Sequence, residues 1–318
     1  MEVPLALSPE SLPAGTLMVI DGTAILFRSF FGPVRLQSRD GTEVGAVMLL
    51  AQRLIRILRT WRTRQVAVVF DAGPRTFRND LDPTYKANRG APPPELVPQF
   101  DLAPRVVQAL GIPTFSVLGF EADDLCATLA RRAREQGLPA VLASTDKDLA
   151  QLVCDRPPST WQLDPYKDRL SDESGIREKL GVQPRQVVDF MALVGDGVDN
   201  VPGVAGVGTK TAKALIGHFD ALDSLYDRLD EVAGLPIRGA KTLGAKLEAG
   251  QADAARSREL VRLRDDVTLP GVEALSPLTL WHGPGPQADA LFGDLGFHRP
   301  LHSARELAAE LAEATPHR

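Results

Sequence analysis

The sequence predicts an α/β protein with a mainly parallel central sheet flanked by helices, joined to a helical second half. Three observations carry this. Short apolar runs recur at residues 17–20 (LMVI), 66–70 (VAVVF) and 140–143 (AVLA), each bounded by polar or breaker residues, as buried parallel strands read. Helical patterns lie between them, so strand and helix alternate as a parallel sheet requires. Beyond about residue 184 the apolar spacing turns mainly helical and is interrupted by glycines.

From the N-terminus, residues 1–15 (MEVPLALSPESLPAG) lack the basic start and long apolar run of a signal peptide and read as a flexible tail. The first strand runs into Asp21-Gly22-Thr23. Next, Val47, Leu50, Leu54, Ile57, Leu58 and Trp61 recur at helical spacing in GAVMLLAQRLIRILRTW. Residues 73–98 (GPRTFRNDLDPTYKANRGAPPPELVP) break the rhythm. Few are apolar and several are proline, so the segment is no core element and is long enough for an arch or lid. A short run at 113–118 precedes EADDLCATLARRAREQG, where Leu125, Leu129 and Ala133 share a stripe and Gly137 supplies the stop. Residues 288–311 read as helix with a glycine-containing interruption. The expected division is a tail at 1–15, an α/β core at 16–184 with the arch at 73–110, a helical subdomain at 185–265, and a segment at 266–318 packing back on the core.

With 318 residues the chain can bury a full core, and its 44% hydrophobic and 24% charged content is ordinary for a globular protein. Cys126 and Cys154 form no paired motif, which argues against a disulfide framework or zinc site and for a reducing, cytoplasmic location. No run is long enough to span a bilayer. The net charge of −5 speaks against nucleic acid as a partner, but its distribution is uneven. Residues 53–89 hold nine basic side chains against three acidic ones. Those at 53–64 suit a solvated helix face, whereas those at 75–89 sit in the breaker-rich segment.

The three strands share a further feature: Asp21, Asp71 and Asp146 follow their C-terminal ends. In open parallel sheets that edge is the ligand crevice. One such Asp is usually a turn or cap residue; three together are harder to explain that way. Asp21 is no phosphoryl-accepting nucleophile of the Asp-x-Asp-Gly-Thr kind, because Val19 stands two positions before it. Glu121, Asp123 and Asp124 open a helix, Asp146 and Asp148 flank Lys147, and Asp196 and Asp199 lie in a glycine-rich loop; caps and Asx turns are the competing explanation for each. If the acids converge, two carboxylates about 5 Å apart repel by roughly 3 kcal/mol at an effective dielectric near 20. Cations would be needed. All five histidines lie elsewhere, so oxygen-preferring Mg²⁺ or Mn²⁺ is indicated, as two ions, and zinc is not.

The strings DGTAILFRSF, VVFDAGPRTFR, YKANR, EADDLCATLA, STDKDLAQLV, GDGVDNVPGV and GVGTKTA follow one another between about residues 17 and 216. In that order they resemble the 5′ nucleases of the flap endonuclease type, above all the bacterial 5′→3′ exonuclease domain of DNA polymerase I. Weaker similarity continues to LFGDLGFHRPLHSARE. The resemblance implies a PIN- or 5′-nuclease-like fold with a helical arch and a helix-hairpin-helix subdomain. It implies a divalent-metal-dependent, structure-selective 5′ nuclease that hydrolyses DNA phosphodiesters with two ions. Residue by residue, it assigns Asp21, Asp71, Glu121 and Asp123 to a first metal region and Asp146, Asp148, Asp196 and Asp199 to a second, with Asp124 supporting the cluster. Arg28 matches a phosphate-contacting arginine. Phe77, Arg78, Tyr85, Lys86 and Arg89 match the base of the arch. There Lys86 and Arg89 would grip the scissile phosphate from one helix face, and Tyr85 would stack an unpaired base.

GVAGVGTKTA fails as a Walker A loop, because Thr209 separates Gly208 from Lys210 and no strand precedes it. It joins helical patterns at 185–193 and 209–218. A glycine turn between helices clamps phosphate through outward N–H groups; a tight turn in a core is the alternative. The resemblance makes it the helix-hairpin-helix, with Gly203, Gly206, Gly208, Lys210 and Lys213 at duplex DNA and K⁺ on backbone carbonyls. The expected partner is DNA with a 5′ flap, nick or free 5′ end, and the expected state a monomer working beside a replication or repair polymerase. The chain ends at Arg318, where the polymerase relatives would continue, so a free-standing nuclease is expected. Two rivals remain: a non-catalytic junction-binding protein and a PIN-like ribonuclease.

Overall fold

Five parallel strands and one antiparallel strand form the central sheet of this computed structural model, which describes residues 8–269 and 271–313. The parallel strands are β1 (Leu17–Asp21), β2 (Val66–Val69), β3 (Thr114–Phe115), β4 (Ala140–Ala143) and β5 (Thr160–Asp164), and β6 (Arg169–Ser171) closes one edge antiparallel to β5. The order is β3-β2-β1-β4-β5-β6. Through the first half run helices α1 (Gly22–Phe30), α2 (Gly45–Trp61), α3 (Phe77–Leu81), α4 (Val97–Ala109), α5 (Ala122–Glu135) and α6 (Glu173–Leu180). The second half holds α7 (Val187–Val194), α8 (Thr209–Phe219), α9 (Leu222–Asp227), α10 (Ala240–Ala249) and α11 (Gln251–Val261). Finally come α12 (Leu275–Thr279), α13 (Ala288–Leu295) and α14 (His298–Glu313).

The central strands β2 and β4, and β1 up to Asp21, are apolar at every position because both faces of the sheet are covered. Met18, Ile20, Val66 and Val68 share a core with α2 and α4, onto which α14 and α13 pack, while Leu17, Val19, Ala67 and Val69 share one with α5, Leu263, Val267, Leu269, Val272 and Leu275. Val267, Leu269, Val272 and Leu275 therefore join the core on one side of the sheet, and α13 and α14 cover the helices on the other. A separate core built on α7 to α11 includes Tyr85, Ala150 and Val153 from the first half. No helix among the described residues is long and apolar enough to cross a membrane.

The expected strands and the helix at 45–61 lie where their patterns place them, and α13 and α14 break at Gly296, whose φ is +74°. Several expectations need correction. β5 and β6 were not anticipated, since TWQLD mixes polar and apolar residues that only burial between β4 and β6 explains. Of the expected tail, residues 1–7 lie outside the described residues; Pro9–Ser11 forms a 3₁₀ turn, and Leu12 packs on the core. The arch expected at 73–110 divides in two. Its last part is core, because α4 buries Leu102, Ala103, Val106 and Val107. Between α3 and α4 the chain runs through turns. Pro92, Pro93 and Pro94 lack N–H donors and fix φ, and Lys86 takes φ +56°, so no helix there sets Lys86 and Arg89 on one face.

Candidate active site

β1 pairs with β2 on one side and β4 on the other, so the switch point of the sheet lies beyond the carboxyl ends of β1 and β4. Asp21 ends β1. Its Oδ1 caps α1 by accepting the Ala24 amide at 2.9 Å, and its Oδ2 accepts from Ser144 Oγ, just past β4, at 3.1 Å. The capping role and the site role coexist because a carboxylate has two oxygens. Asp71 follows β2; its amide donates to Thr23 Oγ1 at 2.9 Å, and its Oδ1 accepts the Ala122 amide at 2.7 Å. That bond carries the first turn of α5, with Glu121 and Asp123, to the same edge. Past β4, Asp146 Oδ1 accepts the Asp148 amide at 2.9 Å, and past α7 Asp196 Oδ1 accepts the Val198 amide at 2.9 Å. Asp21, Asp146 and Asp196 thus each spend one carboxylate oxygen on a cap or Asx turn.

The acids act on one another electrostatically. Burial raises the Asp21 carboxyl to about 7, with Asp71 and Asp146 adding to the rise and the Ala24 amide and Ser144 opposing it. Burial lifts Asp148 to about 8, helped by Asp146, Asp199 and Asp196 and resisted by Lys147. Asp123 is driven well above the carboxylate range by burial and then by Asp146, Asp21, Asp148 and Glu121. Asp71 rises through burial and Glu121, against the Ala122 amide, Lys86 and Arg89. Eight of the nine sequence-predicted acids thus form one coupled group.

The chain's own cations meet part of this charge. Lys86 Nζ lies 2.8 Å from Glu121 and 3.9 Å from Asp199, Arg89 pairs with Asp199, and Lys147 Nζ lies 2.9 Å from Asp196. Lys147 and Ser144 were missed in the sequence, although both stand in STDKDL. Residues 84–89 dock on the loop after α7, with the Lys86 amide on the Asp199 carbonyl at 2.9 Å and Asn88 Nδ2 on the Gly197 carbonyl at 2.8 Å.

Four assignments change. Asp124 supports the cluster by accepting the Glu121 amide at 3.1 Å but is not placed as a metal donor. It is fully buried, and it accepts both terminal nitrogens of Arg78 at 2.7 and 2.8 Å as well as the Arg264 amide at 2.9 Å. Arg78, 2% exposed, cannot reach DNA; its Nε donates to the Leu260 carbonyl at 2.7 Å. Tyr85 is 5% exposed with its hydroxyl 3.2 Å from Glu121, so its ring is packed rather than free to stack a base. Gly203 is buried and its amide donates to Ser257 Oγ at 2.9 Å, leaving no donor for phosphate. Phe77 packs against Phe120 with ring centroids 5.8 Å apart. Lys213 lies along Gly181, while Gly206, Gly208 and Lys210 remain exposed.

In chemistry the donor set fits a hard divalent cation. All donors are oxygens, Asp148 Oδ1 is buried without a hydrogen-bond partner, and the mutual repulsion is a cost that a cation offsets. In spacing it is open: among the described residues no three His, Cys, Asp or Glu side chains form a ready ligand set.

Residues 16–181 match the model of the 5′–3′ exonuclease N-terminal resolvase-like domain, and residues 182–279 that of the 5′–3′ exonuclease C-terminal SAM fold. The chain belongs to the 5′–3′ exonuclease family. This exonuclease-family chain is 40% identical over 261 residues to DNA polymerase I of Rhizobium leguminosarum, across 80% of its own length and 25% of that protein's. It therefore spans about a quarter of that relative. It is 31% identical over 254 residues to a 5′–3′ exonuclease of Buchnera aphidicola subsp. Schizaphis graminum, covering 80% of this chain and 88% of the other. The fold is shared with the bacteriophage T5 flap endonuclease, solved as a pseudo-enzyme–product complex with DNA and metal ions, at a TM-score of 0.63 and 22% identity over 94% of this chain and 99% of that one.

Proposed function

We propose that the chain is a divalent-metal-dependent, structure-selective 5′ nuclease, acting on DNA as a 5′→3′ exonuclease and 5′-flap endonuclease. The observation that supports it best is the coupled group of eight acids at the switch-point edge, faced by Lys86 and Arg89. Asp21, Asp71, Glu121 and Asp123 would hold one Mg²⁺ or Mn²⁺, and Asp146, Asp148, Asp196 and Asp199 a second. When bound, such ions activate water and stabilise charge on a departing oxygen. Lys86 and Arg89, held at the mouth by the turns at 84–89, exchange carboxylate partners for the scissile phosphate. The capping bonds on Asp21, Asp71 and Asp146 fix the carboxylates that surround the reacting phosphorus. Residues 185–265 serve as the DNA-binding subdomain. The exposed Gly206, Gly208 and Lys210 at the start of α8 offer donors to duplex phosphates, and carbonyls of the same turn suit K⁺. The names of the Buchnera relative and the T5 structure agree with this reading.

The test is cleavage mapping on 5′-flap, nicked, gapped and single-stranded DNA, with RNA counterparts, in Mg²⁺ or Mn²⁺. Products bearing a 5′ phosphate, released from flap and nicked DNA, are expected. A correctly folded protein that binds these substrates without cutting any would overturn the proposal in favour of junction binding. Preference for RNA would favour the ribonuclease reading.

A further inference from the structure

The turn after β5 emerges at the same edge of the sheet as Asp21, because β5 runs parallel to β4 and β4 to β1. It carries Tyr166, which belongs neither to the acid group nor to the segment before α4. Three arginines from α1 and α2 converge on it. The Arg28 guanidinium carbon lies 3.8 Å from the Tyr166 ring centroid and that of Arg53 4.5 Å. Arg53 also donates to the Pro165 carbonyl at 3.2 Å, and Arg56 pairs with Asp168 at 2.8 Å. Asp164 Oδ1 staples the turn by accepting the Tyr166 and Lys167 amides at 2.9 and 3.1 Å. The ring thus rests on a fixed support, and supporting contacts of this kind hold a binding group to its geometry.

Arg28 differs from its two neighbours. It is exposed, and among the described residues it has no hydrogen-bond or ion-pair partner; the ring alone holds it. Face stacking engages the π-surface of a guanidinium and leaves its in-plane N–H donors free. A free planar fork in a fixed orientation suits bidentate phosphate recognition, because less side-chain freedom is lost on binding.

We propose that Tyr166 is a positioning residue whose ring seats Arg28 to receive a backbone phosphate of the DNA substrate beside the acidic pocket. This rests on the nuclease reading. The experiment is steady-state cleavage of 5′-flap DNA by the full chain and by Tyr166→Leu, Tyr166→Phe, Arg28→Ala and Arg28→Ala/Tyr166→Leu, each with its melting temperature. Leucine keeps apolar bulk without a π-face; phenylalanine keeps the face. Tyr166→Leu should raise KM about two- to fivefold with kcat changed less, the range a surface cation–π contact supports. Tyr166→Phe should restore the parent KM, and Tyr166→Leu should add nothing once Arg28 is alanine. A parent-like KM for Tyr166→Leu, or an undiminished extra loss in the Arg28→Ala background, would refute the role. If the parent itself cleaves no DNA, the nuclease reading has failed instead. The same cycle read by fluorescence anisotropy on flap DNA then decides whether the stack serves phosphate binding.

Discussion

Arg78 carries its charge into the interior and keeps it, because Asp124 offsets the burial that opposes ionisation and holds the guanidinium above its ordinary pKa. In the sequence it is one more basic residue in a basic stretch; its partner lies 46 positions away, and nothing local announces the pairing. Removing one member of a buried pair strands the other, at a cost of about 3–5 kcal/mol. Arg78→Ala should therefore destabilise the fold by that much in urea unfolding, and weaker DNA binding at parental stability would instead restore the phosphate-contact role. Lys86 stands differently, three-quarters buried and bridging Glu121 and Asp199 at the mouth. Lys86→Ala should lower turnover more than duplex affinity, checked by single-turnover cleavage beside anisotropy. A pure affinity loss would contradict its assignment.

At the scale of elements, the connection between α7 and α8 shows why glycines matter unequally. At Gly203, φ is +63° and an added Cβ would lie 2.5 Å from the Gly195 nitrogen, backbone that cannot yield. At Gly206, φ is +79° but the nearest atom is the flexible end of Lys246 at 3.5 Å. Gly206→Ala should cost about 1–2 kcal/mol, the penalty of left-handed backbone alone. Gly203→Ala should cost distinctly more, and melting temperatures compare the two. Equal losses would mean that the close approach of the two loop strands is not what the glycine serves. The glycine-rich turn was legible in the sequence, but its division of labour was not. Gly203 closes the loop while Gly206 and Gly208 face solvent. The segment before α4 teaches the same lesson, since its prolines announced a break while the docking of 84–89 on the loop after α7 depends on a contact more than 100 residues away.

For the whole molecule, the coupled acids tie stability to pH. Asp21 and Asp148 titrate at about 7 and about 8 in the folded state, and Asp71 and Asp123 are also raised. Unfolded carboxyls release their protons near pH 4. Between about pH 4 and 8 the folded state therefore binds more protons than the unfolded one, and stability falls as pH rises through that window. Without divalent metal, the melting temperature should drop from about pH 5 to about pH 8 by this contribution and level off above. Added Mg²⁺ should recover more at the higher pH, because it binds the ionised pocket. Scanning fluorimetry across pH, with and without Mg²⁺, reads both effects. A metal response independent of pH would mean that the acids do not titrate as a group.

The sequence alone determined where the first strands lie, that acids follow their ends, and that a helical half comes after, because apolar spacing and breakers act locally. It also carried the family resemblance, in strings kept in order along the chain. Only the tertiary structure decided which charges meet. It sent Asp124 inward to Arg78, packed Tyr85 and Gly203 into the interior, and added β5 and β6, whose turn places Tyr166 under Arg28. The physical reason is range: secondary structure follows from neighbours a few positions apart, whereas the partner of a charge or a ring is chosen by packing among residues distant in the chain.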